Sequence, residues 1–202
     1  MKEIIENIVR EEWNQFQEIN RQGRRASCQD DWQQFYIMRK SQFSVWPEEL
    51  LQSYYQDLLQ AGYEDRNLIF NKYAYMMEYT DPMGYERVKH ILPEITPERK
   101  AYLERAVQIH VKWAEECAEQ FPHYAQRGRL IHGKEEFAGL TSIETYQRGE
   151  LYSYGPQTQL LYCEFVFRSE KEGKNLTYLV RDQMAKMYHY ESVEDMERRQ
   201  QC

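Results

Sequence analysis

Apolar residues recur at spacings of three and four along most of the chain, while glycine and proline fall between the periodic stretches, so the pattern predicts helix after helix. Ile4, Ile5, Ile8, Val9, Glu12, Trp13 and Phe16 make one broad face of a first helix that Gly23 ends. Ser27 and Asp30 have the spacing of a capping box and open a second helix, with Trp32, Tyr36, Arg39 and Phe43 along one stripe. Pro47 suits the first turn of a third, which carries Leu50, Leu51, Tyr54, Leu58 and Leu59 and stops at Gly62. A fourth bears Leu68, Ile69, Tyr73, Met76 and Met77 until Asp81-Pro82 breaks it. A short helix over residues 85–92 follows. Thr96, Pro97 and Glu98 then supply an N-cap, a first-turn proline and an acid at the positive helix end. They open a long helix through Leu103, Val107, His110, Trp113 and Cys117 to about Phe121. Residues 122–140 are the longest irregular stretch. Further helices begin near Thr141, which forms a capping box with Glu144, and near Pro156, Asn175 and Ser192. The one ambiguous run, residues 160–167, reads as a buried helix by its length and setting.

The second half echoes the first in order, at a nearly constant offset. Trp13 matches Trp113, Gly23-Arg24 matches Gly128-Arg129, and Arg39, Phe43 and Pro47 match Arg148, Tyr152 and Pro156. Tyr54, Asn67-Leu68 and Met76 then match Tyr162, Asn175-Leu176 and Met184. Amphipathic helices can always be aligned by sliding, but a non-periodic proline, an Asn-Leu pair and an inward arginine are not shared for that reason. The expected fold is therefore an all-α, multi-helical single domain of two tandem repeats, about 1–92 and about 96–202, related by a pseudo-two-fold axis.

Composition narrows the function classes. The chain of 202 residues has a formal net charge of −7, which excludes nucleic-acid binding driven by bulk positive charge. With 42% hydrophobic and 29% charged residues it has the make-up of a folded domain. Its start is charged and amphipathic and no apolar run is long enough for a membrane span, so a cytoplasmic protein is expected. Cys28, Cys117, Cys163 and Cys202 are scattered with no CxxC pair, and the five histidines are dispersed, so neither a disulfide framework nor a metal centre is expected. Nucleotide-loop and hydrolase motifs do not occur, and no cofactor is implied.

Candidate chemistry centres on two arginines. Arg39 sits inside an aromatic stripe, and Arg148 lies between Thr145 and Tyr152 at the same spacings, so each half aims a guanidinium along its buried or cleft-facing side. A desolvated guanidinium needs an anion, and its planar fork suits a carboxylate or phosphate. That anion is either an internal acid, with Asp30, Asp31, Glu78, Glu144 and Glu150 as candidates, or a small anionic molecule in a cleft lined by Tyr36, Arg39, Tyr146, Arg148 and Glu150, with Asp30 and Asp31 nearby. Cys28, beside Arg24 and Arg25 at a helix start, is the one candidate nucleophile, although no histidine is spaced to serve it as a base. The 17 tyrosines outnumber the 8 phenylalanines, which implies many phenol hydrogen bonds in the core.

Residues 25–32 (RASCQDDW), continued by 35–43 (FYIMRKSQF), and later 49–59 (ELLQSYYQDLL) and 146–151 (YQRGEL), resemble a bacterial family known as domain of unknown function 4125. The resemblance extends over nearly the whole chain. It implies a cytoplasmic bacterial protein, and since some relatives are joined to a nucleotidyltransferase-like domain, it hints at a nucleotide or phosphate-bearing partner. Binding of a small anionic metabolite in the arginine cleft is the leading expectation. The alternative is a helical interaction module without catalytic activity, whose partner can be a second copy of the chain as a homodimer.

Overall fold

Short polar side chains set where the helices begin. Asp31, Asn67, Asp81, Thr96, Ser142 and Asn175 each accept a hydrogen bond from the backbone N–H three residues on, which satisfies one of the donors a helix start leaves free. The computed structural model describes residues 1–19, 27–135 and 141–200. These form α1 (Lys2–Glu18), α2 (Trp32–Phe43), α3 (Glu48–Tyr63), α4 (Leu68–Thr80), α5 (Pro82–Val88), α6 (Pro97–Gln120), α7 (Pro122–Gln126), α8 (Ile143–Ser153), α9 (Pro156–Lys171), α10 (Leu176–Met187) and α11 (Val193–Gln200). Three 3-10 turns, at Ser27–Asp30, Lys89–Ile91 and Gly133–Glu135, lie between them, and no strand occurs among the described residues.

The all-helical expectation is met, with local differences. Residues Ser27–Asp30 wind as a 3-10 turn, so Asp31 caps α2 in place of Ser27, at 2.9 Å from the Gln34 nitrogen. Ser142, not Thr141, caps α8. Pro47 stands just outside α3, and Pro122 does not merely end α6 but opens α7 inside the stretch expected to be irregular. Gly62 lies within α3. The chain turns instead at Asp65, with φ 54°, and the Arg66 N–H reaches back to the Ala61 carbonyl at 2.7 Å. The end of α9 repeats this geometry at Gly173, φ 69°, with Lys174 N–H on the Ser169 carbonyl at 2.8 Å. Gly23, Arg24 and Arg25 lie outside the described residues.

One apolar core draws on both halves of the chain, through Ile8, Phe43, Leu51, Tyr54 and Tyr75 from the first and Leu103, Val107, Leu151, Tyr162 and Val166 from the second. α1 packs against α2, α3 and α4, and α6 against α8, α9 and α10. Across the halves, α3 meets α9, α2 meets α10, and α4 meets α8. The last pair is close because Gly149 has no side chain: a Cβ there would stand 2.5 Å from Met76 Cγ and 2.7 Å from the Lys72 carbonyl oxygen. A smaller cluster joins Phe121, Ala185, Val193 and Met196.

Candidate functional site

Helix α1 carries Ile5, Ile8, Val9 and Phe16 inward, and the same face carries Glu12, which has no exposed surface. A carboxylate so placed must be paired, and the arginine stripe of α2 pairs it. Arg39 donates from Nε and Nη2 to the two Glu12 oxygens at 2.6 and 2.5 Å, and Tyr54 donates to Glu12 Oε1 at 2.6 Å. The remaining Arg39 edge meets Gln42 at 2.7 Å and Glu150 at 3.0 Å. Glu150 also accepts from Gln42 (2.7 Å), Tyr154 (2.9 Å) and Lys72 (2.9 Å). The Lys72 ammonium lies 3.7 Å from the Tyr146 ring centroid and donates to its hydroxyl.

Two cations and two carboxylates thus form a buried neutral network joining α1, α2, α4 and α8. Burial pushes the Glu150 carboxyl upward, but Arg39 and Lys72 outweigh it and hold the group well below the usual carboxylate range. Burial pushes the Lys72 pKa down, and Glu150 more than offsets that, so its pKa is raised. Beside the network, Gln147 donates to the Tyr162 hydroxyl at 3.0 Å, and that hydroxyl shares a hydrogen bond with His110 Nε2 at 2.8 Å. Burial lowers the His110 pKa to about 4.

Arg148 is placed differently. Residues 146 and 150 are one turn apart on α8 and join the network with α2 and α4, whereas 148 falls between them on another face. There its guanidinium is gripped by Glu104 at 2.6 and 2.9 Å and by Glu144 at 2.9 Å, with Tyr152 donating to the same Glu104. Burial would lower the Arg148 pKa, and the two carboxylates more than offset it. Tyr36 bonds Glu6 at 2.8 Å and Lys40 nearby, while Asp30 and Asp31 are exposed at the start of α2. The residues expected around one cleft are thus divided among three places. Both guanidiniums meet internal carboxylates, of which Glu144 and Glu150 are expected from the sequence.

A cavity lies elsewhere. A groove of about 1170 Å³ runs between α1, the end of α3 and α4, with Phe16, Leu58, Phe70 and Met77 among its apolar lining. Cys28, Tyr73, Arg129 and Thr141 line it as well. Burial pushes the Tyr73 phenol up to about 12, with Tyr146 adding to the shift. The Arg129 guanidinium lies 4.8 Å from the Tyr146 ring centroid and donates to the Thr141 carbonyl at 3.3 Å. It pairs with no carboxylate among the described residues. Arg66, the other cation of the groove, is held by Glu64, and Glu11, Glu18 and Asp65 bring acids to the same lining. Cys28 is exposed, and no hydrogen bond among the described residues ties it to a histidine.

A family model described as protein of unknown function (DUF4125) matches residues 2–198. The chain belongs to this family. No curated protein and no solved structure matches it. Membership extends over every element just described, from α1 to α11, so the buried network and the groove both lie inside the family's domain. Among the described residues no helix is long and apolar enough to cross a membrane, and no three His, Cys, Asp or Glu side chains converge as metal ligands would. Two partners of the arginines escape the sequence reading. Glu12 carries a signal, a carboxylate on an otherwise apolar stripe. Glu104 and Arg129 carry none, one being half-buried and the other on a loop.

Proposed function

We propose that the protein binds a small organic anion in the groove between α1, α3 and α4, with Arg129 as the counter-charge. The observation that carries this reading is a guanidinium without a carboxylate partner among the described residues, standing on a tyrosine face in the lining of a cavity of about 1170 Å³. An anion at Arg39 or Arg148 would have to displace a carboxylate already in bidentate contact, which favours the groove over the arginine pair. The acids of the groove suit a ligand whose body donates hydrogen bonds and whose anionic group is confined to the Arg129 end.

The same reading treats the scaffold as two tandem helical repeats about a pseudo-two-fold axis. Asn67 and Asn175 support it, since each caps its helix and also donates to a carbonyl of the long first helix of its half, Gln15 and Trp113 respectively. So do the matching turns at Asp65 and Gly173 and the reciprocal packing of α2 on α10 and α4 on α8, with α3 against its counterpart α9. The groove then belongs to the first repeat, with Arg129 and Thr141 reaching it from the second.

Thermal shift with a panel of nucleotides, phosphosugars and carboxylates tests the proposal, together with native mass spectrometry of gently purified protein. A ligand at a hundred times its dissociation constant stabilises by about 2.7 kcal/mol. The expected result is a shift in wild type, measured from each protein's own unliganded midpoint, that Arg129→Ala loses. A shift retained in that variant, or none from any compound, overturns it.

A further inference from the structure

Beside the C-terminal part of α6 lies a second, smaller cavity of about 220 Å³, between Ala118 of α6, Ala125 of α7, the 128–131 loop, Ile143 of α8 and Arg181 of α10. The Arg181 guanidinium lies over the Tyr124 ring at 5.0 Å from its centroid. Its Nη1 is buried and has no hydrogen-bond acceptor among the described residues. Asp182, next to Arg181 on α10, is already engaged by Lys186 at 2.6 Å and by the Val193 N–H, and Glu116 of α6 by Asn175 at 2.9 Å. Arg39 and Arg148 show how this chain otherwise treats an inward arginine, with a bidentate carboxylate for each. Arg181 departs from that rule, and a buried donor left without an acceptor requires a physical reason.

A guanidinium stays protonated at every pH the fold survives, so it cannot relieve its burial by losing the proton. The acceptor that Nη1 lacks must come from what fills the cavity. We propose that this cavity is a pocket for a small oxyanion, a carboxylate or a phosphate, bound through Arg181 with the body of the ligand against Ala118, Ala125 and Ile143. Arg129 also lines the cavity. The space is large enough for several waters, and water alone is the competing occupant. The proposal does not depend on the reading of the groove, because Arg181 does not line the groove.

The test is the unfolding midpoint at constant ionic strength as sodium chloride is replaced by sodium butyrate or by sodium phosphate, for wild type and Arg181→Met. Phosphate stabilises folded proteins generally by exclusion from their surface, and that part of the rise is common to both proteins. An occupied pocket gives wild type an additional, saturable rise of roughly 5 °C or more at a hundred times the dissociation constant, absent from Arg181→Met. Butyrate or phosphate giving the rise identifies the ligand as a carboxylate or a phosphate. Equal responses of the two proteins to both salts overturn the proposal and leave water as the occupant. Should Arg181→Met fail to fold, Ala118→Leu fills the cavity while keeping the arginine, and it must abolish the saturable rise. A ligand of the groove, by contrast, keeps its shift in Arg181→Met.

Discussion

Replacing Glu150 by glutamine alters one charge in the buried network and almost no volume. The carbonyl oxygen of the new amide can still accept from Arg39, Gln42 and Tyr154, which all meet Oε1 in the wild type. The amide nitrogen would face the Lys72 ammonium, donor against donor, where Oε2 now accepts at 2.9 Å. Lys72 is 4% exposed and Glu150 2%, so water cannot take over the lost charge. Breaking a buried pair by removing one partner costs about 3–5 kcal/mol, which at this chain length lowers the melting point by roughly 6–20 °C. Lys72→Met removes the stranded ammonium and leaves Arg39 with Glu12 as a neutral pair. The double variant is therefore less destabilised than the sum of the singles by roughly 2 kcal/mol. Urea unfolding of the four proteins at pH 7 measures the cycle. Additive singles, or a loss under about 1 kcal/mol for Glu150→Gln, would show that the network is not a closed set of pairs and would refute the reasoning.

His110 has its pKa lowered to about 4 by burial, so it stays neutral in the fold while the unfolded chain protonates near its ordinary 6.5. The unfolded state binds more protons between those values, stability falls as pH drops from about 6.5 towards 4, and the loss approaches roughly 3 kcal/mol; His110→Gln, measured by urea unfolding from pH 7.5 to 4.5, should lose that part of the slope, and identical slopes would reject the assignment. Gly149→Ala must push Met76 and the Lys72 backbone away from α8, and a destabilisation of about 1–3 kcal/mol or more by the same assay is expected, with a neutral effect counting against the close α4–α8 packing. Cys28 is exposed, whereas Cys117 and Cys163 are buried and burial pushes the Cys163 thiol up to about 12. Iodoacetamide at pH 7.5 with peptide mass mapping should therefore label Cys28 well before either buried thiol in the native protein, and comparable labelling of Cys163 would contradict its burial.

Much of the helical framework is legible in the sequence because caps and prolines are local signals. Thr96-Pro97 and Asn175 act within three residues of the backbone groups they satisfy, so no tertiary knowledge is needed to read them. Ser27 misleads for the same reason: two acceptors, Ser27 and Asp31, compete for one helix start, and only the 3-10 turn between them decides the outcome. The inward direction of Arg39 and Arg148 is equally local, since spacing alone places them on buried faces. What an inward arginine is for is not local, because it depends on how many acids face it from other helices. A single face of α1 presents Glu12 among isoleucines, and that one carboxylate turns Arg39 from a candidate ligand site into an element of the fold. Spacing along α8 also argues against one cleft containing both Arg148 and Glu150, since residues two apart on a helix point in different directions. Tyr178, Arg181 and Ala185 step by three and four as Tyr36, Arg39 and Phe43 do, so the same stripe rule marks Arg181 as inward. Among the described residues no acid pairs with it, and its Nη1 has no acceptor. The two kinds of inward arginine look alike in the sequence but differ in their carboxylate balance, and Arg181 is the less buried. That balance assigns Arg39 and Arg148 to stability and leaves Arg181, with Arg129 beside the same cavity, as charge available to a ligand.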